Sequence, residues 1–121
     1  MNRVGWFEIY VDDMVRAKRF YEAVFKAELT RLEMPGMEIW MFPMQDESTG
    51  ATGALVKMHG FSAGANSVLV YFTSDDCAVE EARVTKAGGR IQKPKTSIGD
   101  YGFISLIVDT EGNMIGLHSM K

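Results

Sequence analysis

The chain is poor in the side chains that crosslink or bind metals. It has one cysteine, Cys77, so no disulfide can form within it. Two histidines, His59 and His118, leave little material for a zinc cluster. Lys and Arg are scattered singly, and no basic run tracks phosphates. With a net charge of −3, these features argue against a nucleic-acid surface. No stretch reaches the roughly 18 apolar residues that suggest a membrane span. The opening MNRVGWFEIYVDDM lacks the long apolar stretch of a signal peptide. The expectation is therefore a cytoplasmic protein with no nucleic-acid or membrane partner. P-loop and G-x-G-x-x-G patterns are also missing, and no serine-hydrolase G-x-S-x-G elbow is expected.

What remains is an ordinary globular composition, 46% hydrophobic and 24% charged, in 121 residues that fit one domain. WFEIYV is rich in β-formers and stops at Asp12 and Asp13, either of which can cap a helix. In MVRAKRFYEAVFKA, apolar Met14, Ala17, Phe20, Tyr21, Val24 and Phe25 recur at helical spacing. LTRLE, EIWMFPM and GALVKM read as strands, and HGFSAGAN as a linker. The pattern then begins again. SVLVYF is a strand, Asp75 and Asp76 follow, and CAVEEARVTKAG is a helix stopped by Gly88 and Gly89. RIQKP is a short strand, KTSIGDYG a loop, FISLIVD a strand, DTEGN a turn and MIGLHSM the last strand. The order βαβββ thus occurs twice, a duplication that outranks any single motif. Module one covers about 1–59, the linker about 60–66 and module two about 67–121, in one α+β domain.

Three segments carry a resemblance: WFEIYVDDMVRAKRFYEAVF, VYFTSDDCAVEEARVTKAGGRI and YGFISLIVDTEGNMIGLHS. Together they resemble the vicinal oxygen chelate superfamily, the glyoxalase, bleomycin-resistance and dioxygenase fold. The resemblance implies paired βαβββ modules curled around an open cleft, and commonly a homodimer. It also implies a divalent ion held by His or Gln from each module's first strand and Glu from its last. Here those positions fall at Trp6, near Leu69, in GALVKM and at Gly116, and none of these can ligate. Two readings follow. One is a metal-independent binder of a small-molecule ligand, with no cofactor. The other is a glyoxalase- or dioxygenase-like metalloenzyme whose single divalent metal ion has moved to Glu8, His118 and perhaps His59.

Period-two alternation puts Trp6, Glu8 and Tyr10 on one strand face, and Gly116 with His118 on one face of the last strand. Glu8 either faces solvent, pairs with a cation such as Lys57, or awaits a ligand. Trp6, Trp40, Tyr71 and Tyr101 are candidate cleft walls or core. Lys57 and His118 complete the candidate cleft residues. Met34, Met37, Met41, Met44 and Met58 fall in one region, as core filler or as a soft pocket wall.

Overall fold

The computed structural model describes residues 4, 6–44, 50–64 and 68–121. The first module runs β1 (Trp6–Tyr10), α1 (Met14–Phe25), β2 (Thr30–Met34), β3 (Met37–Met41) and β4 (Thr52–Met58). The second runs β5 (Tyr71–Thr73), α2 (Cys77–Val84), β6 (Arg90–Ser97), β7 (Phe103–Val108) and β8 (Met114–Ser119). Each module is a four-stranded mixed sheet, ordered β1-β4-β3-β2 and β5-β8-β7-β6. In both, the first strand lies parallel to the last, and the others pair antiparallel. The duplicated α+β architecture is therefore as the sequence pattern implies. Part of the expected linker, and the start of the strand expected from SVLVYF, lie outside the described residues.

The helices begin where the Asp pairs predict. The Asp13 carboxylate accepts from Arg16 N at 3.0 Å, and that of Asp76 accepts from Ala78 N at 3.0 Å. The two ends differ. Helix α1 closes on Lys26, held at φ 53° in the left-handed region. After α2, Gly88 at φ 101° reverses the chain. Gly88 N bonds Thr85 O and Gly89 N bonds Val84 O, the paired bonds of a Schellman stop.

Both helices bury one face in a shared core. From the first sheet come Ile9 and Leu55, and from the second Ile107, Ile115 and Leu117. Phe72 reaches from β5 into the aromatic side chains of the first module. Its ring centroid lies 4.6 Å from Phe25, 5.4 Å from Phe7 and 5.5 Å from Phe42. Neither module could bury these rings alone, so the duplication is also what completes the core.

Strand β6 is longer than expected. RIQKP was expected to stop at its proline, with a loop following, yet pairing continues to Ser97. The register shifts between Ile91 and Lys93, and again between Lys93 and Thr96. Because β6 is an edge strand, Pro94 sits in this irregular stretch without costing the sheet an inner hydrogen bond. Strand β5 is shorter than expected, although Gly116 N still bonds Val70 O at 2.8 Å.

Candidate functional site

Each sheet turns one face to the helices and leaves the other open. Along β1, Phe7 and Ile9 enter the core, so Trp6, Glu8 and Tyr10 share the open face. Register carries that face across the sheet. Glu8 stands opposite Ala54, Tyr10 opposite Val56, and Met37 opposite Met58. Ile39, Ala54 and Val56 form a second buried cluster there, with Tyr10, Met37, Met41 and Met58 packed around it. Met34 and Met44 stay largely exposed.

The same bookkeeping separates two of the candidate residues from the rest. Trp40 stands opposite Leu55, on the helix side, with Lys18 Nζ 4.7 Å from its ring centre. Lys57 stands opposite Glu38 and, one residue beyond Val56, projects to that side too. Neither shares a face with Glu8, and no ion pair joins Glu8 to Lys57 among the described residues.

Glu8 is held by its own strand neighbours. Trp6 Nε1 donates to Oε2 at 3.3 Å, and the Tyr10 hydroxyl donates to Oε1 at 2.9 Å. Donation to the carboxylate, with burial, raises the Tyr10 phenol above its ordinary value. Tyr10 in turn stacks on Phe61, ring centroids 5.2 Å apart. Beside these groups a pocket of about 160 Å³ lies between the modules, lined by Glu8 and Tyr10 from one and by Val68, Val70 and Met114 from the other, with Ser62 at its rim.

In the second sheet Tyr71, Gly116 and His118 lie on the open face. The Tyr71 ring covers Gly116 so closely that a Cβ there would stand 2.3 Å from its Cδ1. His118 is committed to the turn that precedes β7. Its Nε2 lies 2.7 Å from the Tyr101 carbonyl. A carbonyl only accepts, so Nε2 carries the proton and Nδ1 is the acceptor in the neutral ring. Tyr101 itself is 76% exposed.

These residues do not fit the metal that the fold resemblance implies. Trp6 offers an indole N–H already donated to Glu8, and Gly116 offers only space that Tyr71 fills. Among the described residues, no three of His, Cys, Asp and Glu stand close enough to hold an ion, so Glu8, His59 and His118 are not brought together.

Two features depart from the sequence reading, which expects no G-x-S-x-G pattern. Residues 60–64, GFSAG, match the G-x-S-x-G pattern of serine hydrolases. That chemistry needs a strand, a sharp turn and a helix around the serine. Here β4 ends in a turn closed by a Met58–Phe61 bridge, and among the described residues no helix follows before the next strand. Ser62 has no histidine partner among the described residues, so the match is a coincidence of small turn residues. The second feature is the role of DTEGN. The Glu111 side chain is fully buried and accepts from Asp12 N, Asp13 N, Thr110 Oγ1 and both Nε and Nη2 of Arg16, the last two at 2.6 and 2.9 Å. Burial pushes its carboxyl upward. The Arg16 guanidinium and these N–H and O–H donors outweigh that and hold it at about 2. Buried Asp109 accepts from the Tyr21 hydroxyl at 2.7 Å and from the Glu111 and Asn113 amides. Asn113 donates to Tyr10 O and accepts from Gly64 N. The turn is a clasp that fixes the start of α1, and the end of β1, to the second module.

Comparison with known proteins agrees with this architecture. CFP32 of Mycobacterium tuberculosis, a protein named as a glyoxylase, is 28% identical over 115 residues. That match takes in 93% of this chain and 44% of CFP32, so the chain spans less than half of this curated relative. Glyoxalase I of Zea mays is similar in fold, with a TM-score of 0.73 and 21% identity over 94% of this chain and 44% of its own. TnmS3, an antibiotic binding protein from a Streptomyces species, has a TM-score of 0.71 and 23% identity over 100% of this chain and 98% of its own. No helix among the described residues is long and apolar enough to cross a membrane. A family match over residues 3–117 completes the assignment: the chain belongs to the Glyoxalase/Bleomycin resistance protein/Dioxygenase superfamily.

Proposed function

We propose that this protein is a metal-independent small-molecule binder of the glyoxalase/bleomycin-resistance type. Its ligand would lie in a cleft walled by aromatic and methionine side chains. The observation that carries this reading is the Tyr71 ring over Gly116. An apolar wall stands where the metal-using members would place a carboxylate. The methionines of the first sheet's open face supply adaptable apolar contact, and Glu8 supplies a polar anchor. Full-length correspondence with an antibiotic binding protein supports the same choice over glyoxalase I, a chain more than twice as long. A displaced metalloenzyme site on Glu8 and His118 is the competing reading.

Thermal-shift titration of chelator-stripped protein separates the two. A ligand of the native state raises the melting temperature as its concentration passes its Kd. The expected result is no response to nickel, zinc, manganese or ferrous iron, and a saturable rise with planar apolar compounds. A saturable rise with a metal that vanishes in Glu8→Ala or His118→Ala overturns the proposal. We also propose a homodimer. The superfamily resemblance supports it, and the outer edges of β2 and β6, unpaired among the described residues, give a second copy a place to cover. Light scattering after gel filtration that gives the monomer mass at micromolar concentration would refute it.

A further inference from the structure

We propose that the pocket between the modules selects an organic cation, an amine or guanidine on a small apolar body, with its charged group on the Glu8 carboxylate. This rests on the binding reading above and names the ligand class of that site.

Glu8 is the one charged residue among the described residues that line the pocket. No Lys, Arg or His pairs with it among the described residues. Its cross-strand neighbour on the open face is Ala54, which brings no donor. An ionised carboxylate offers about four acceptor positions. Trp6 and Tyr10 satisfy two of them and thereby fix the direction of the rest. Those remaining positions accept only, so they want a donor. The rest of the described lining carries no positive charge, and Ser62 at the rim brings only a neutral hydroxyl. Asn113 spends its amide on Tyr10 O, Asp109 and Gly64 N. Val68, Val70 and Met114 are apolar.

The aromatic setting favours the same class. Tyr10 and Phe61 form a stack beside the carboxylate, and Trp6 is 40% exposed next to it. Ring faces attract cations, and an adjacent carboxylate adds to that attraction. A pocket of about 160 Å³ is smaller than the roughly 300 Å³ or more of drug-sized sites. It suits a cationic group with a short apolar stem, whether a free amine or the end of a larger ligand lying along the open face.

The test is calorimetric titration of the full chain with phenethylamine, phenethyl alcohol and phenylacetate, three near-isosteres that differ in charge. The amine should bind about tenfold more tightly than the alcohol, and the anion more weakly than both. Added salt should erode the amine's advantage. In Glu8→Gln that advantage should fall to about twofold or less, and Tyr10→Phe should reduce it part of the way. Glu8 is exposed and Tyr10 half-buried on the open face, and an unchanged thermal midpoint confirms that both variants fold. Equal affinity for amine and alcohol would overturn the cation assignment and leave the binding reading intact. Binding of none of the three would also overturn it. In that case titration with Nile red, a neutral apolar dye, shows whether the binding reading fails with it: no dye uptake means that it does.

Discussion

The sharpest quantitative test is acid unfolding through Glu111. Its carboxyl falls from 4.5 to about 2 on folding. At about 1.4 kcal/mol per pH unit, the ionised side chain stabilises the fold by about 3 kcal/mol. Solvent reaches 51% of the Arg16 side chain, so screening reduces the working figure to about 2 kcal/mol. The folded protein binds this proton less tightly than the unfolded chain does. The contribution is therefore complete above 4.5 and is lost as pH falls from there toward 2. Glu111→Gln removes the titration and keeps the shape. Urea unfolding at pH 7 should find the variant about 2 kcal/mol less stable, and the gap should shrink by more than half by about pH 3. Any cost of placing an amide against the Asp12 and Asp13 N–H groups is independent of pH and appears at both values. A gap that stays constant between the two conditions refutes the argument, because it would mean that the charge contributes nothing beyond packing.

Three further substitutions probe the frame of the site. Gly116→Ala must push the Tyr71 ring aside. It should cost about 1–3 kcal/mol in urea unfolding, and much less in a Tyr71→Ala background, a non-additivity that a double-mutant cycle measures. Phe72→Ala empties the aromatic junction between modules and should cost about 3 kcal/mol or more, read as a fall in the denaturation midpoint. Lys26→Gly relieves the left-handed residue that ends α1 and should raise stability by about 0.5–1 kcal/mol, seen as a higher melting temperature.

The sequence was most legible where local chemistry and long-range packing agree. The caps at Asp13 and Asp76 and the stop at Gly88 each carry their own hydrogen-bond logic, so the helices stood out. Duplication was visible because both halves repeat that logic in the same order. Strand β6 runs past its proline because Pro94 breaks an inner strand but not an edge, and position in a sheet is not written in the strand's own residues. Residue type alone groups Trp40 and Lys57 with Glu8, yet strand pairing places them on the opposite face. Period two orders residues within one strand, and only register relates one strand to the next. The clasp could not be derived locally either. Glu111 reads as a turn residue, and its partners Asp12, Asp13 and Arg16 lie 95–99 positions away. The covering of Gly116 by Tyr71 is of the same kind. A glycine shows that space is needed, but not what fills it.

That covering also constrains how the protein can change over generations. A glutamate at 116 alone would collide with the ring, and removing the ring alone would open the apolar wall while providing no ligand. Placing a carboxylate at 116 thus takes two coupled substitutions, one for the side chain and one to make room for it. Positions 71 and 116 should therefore change together across generations or not at all.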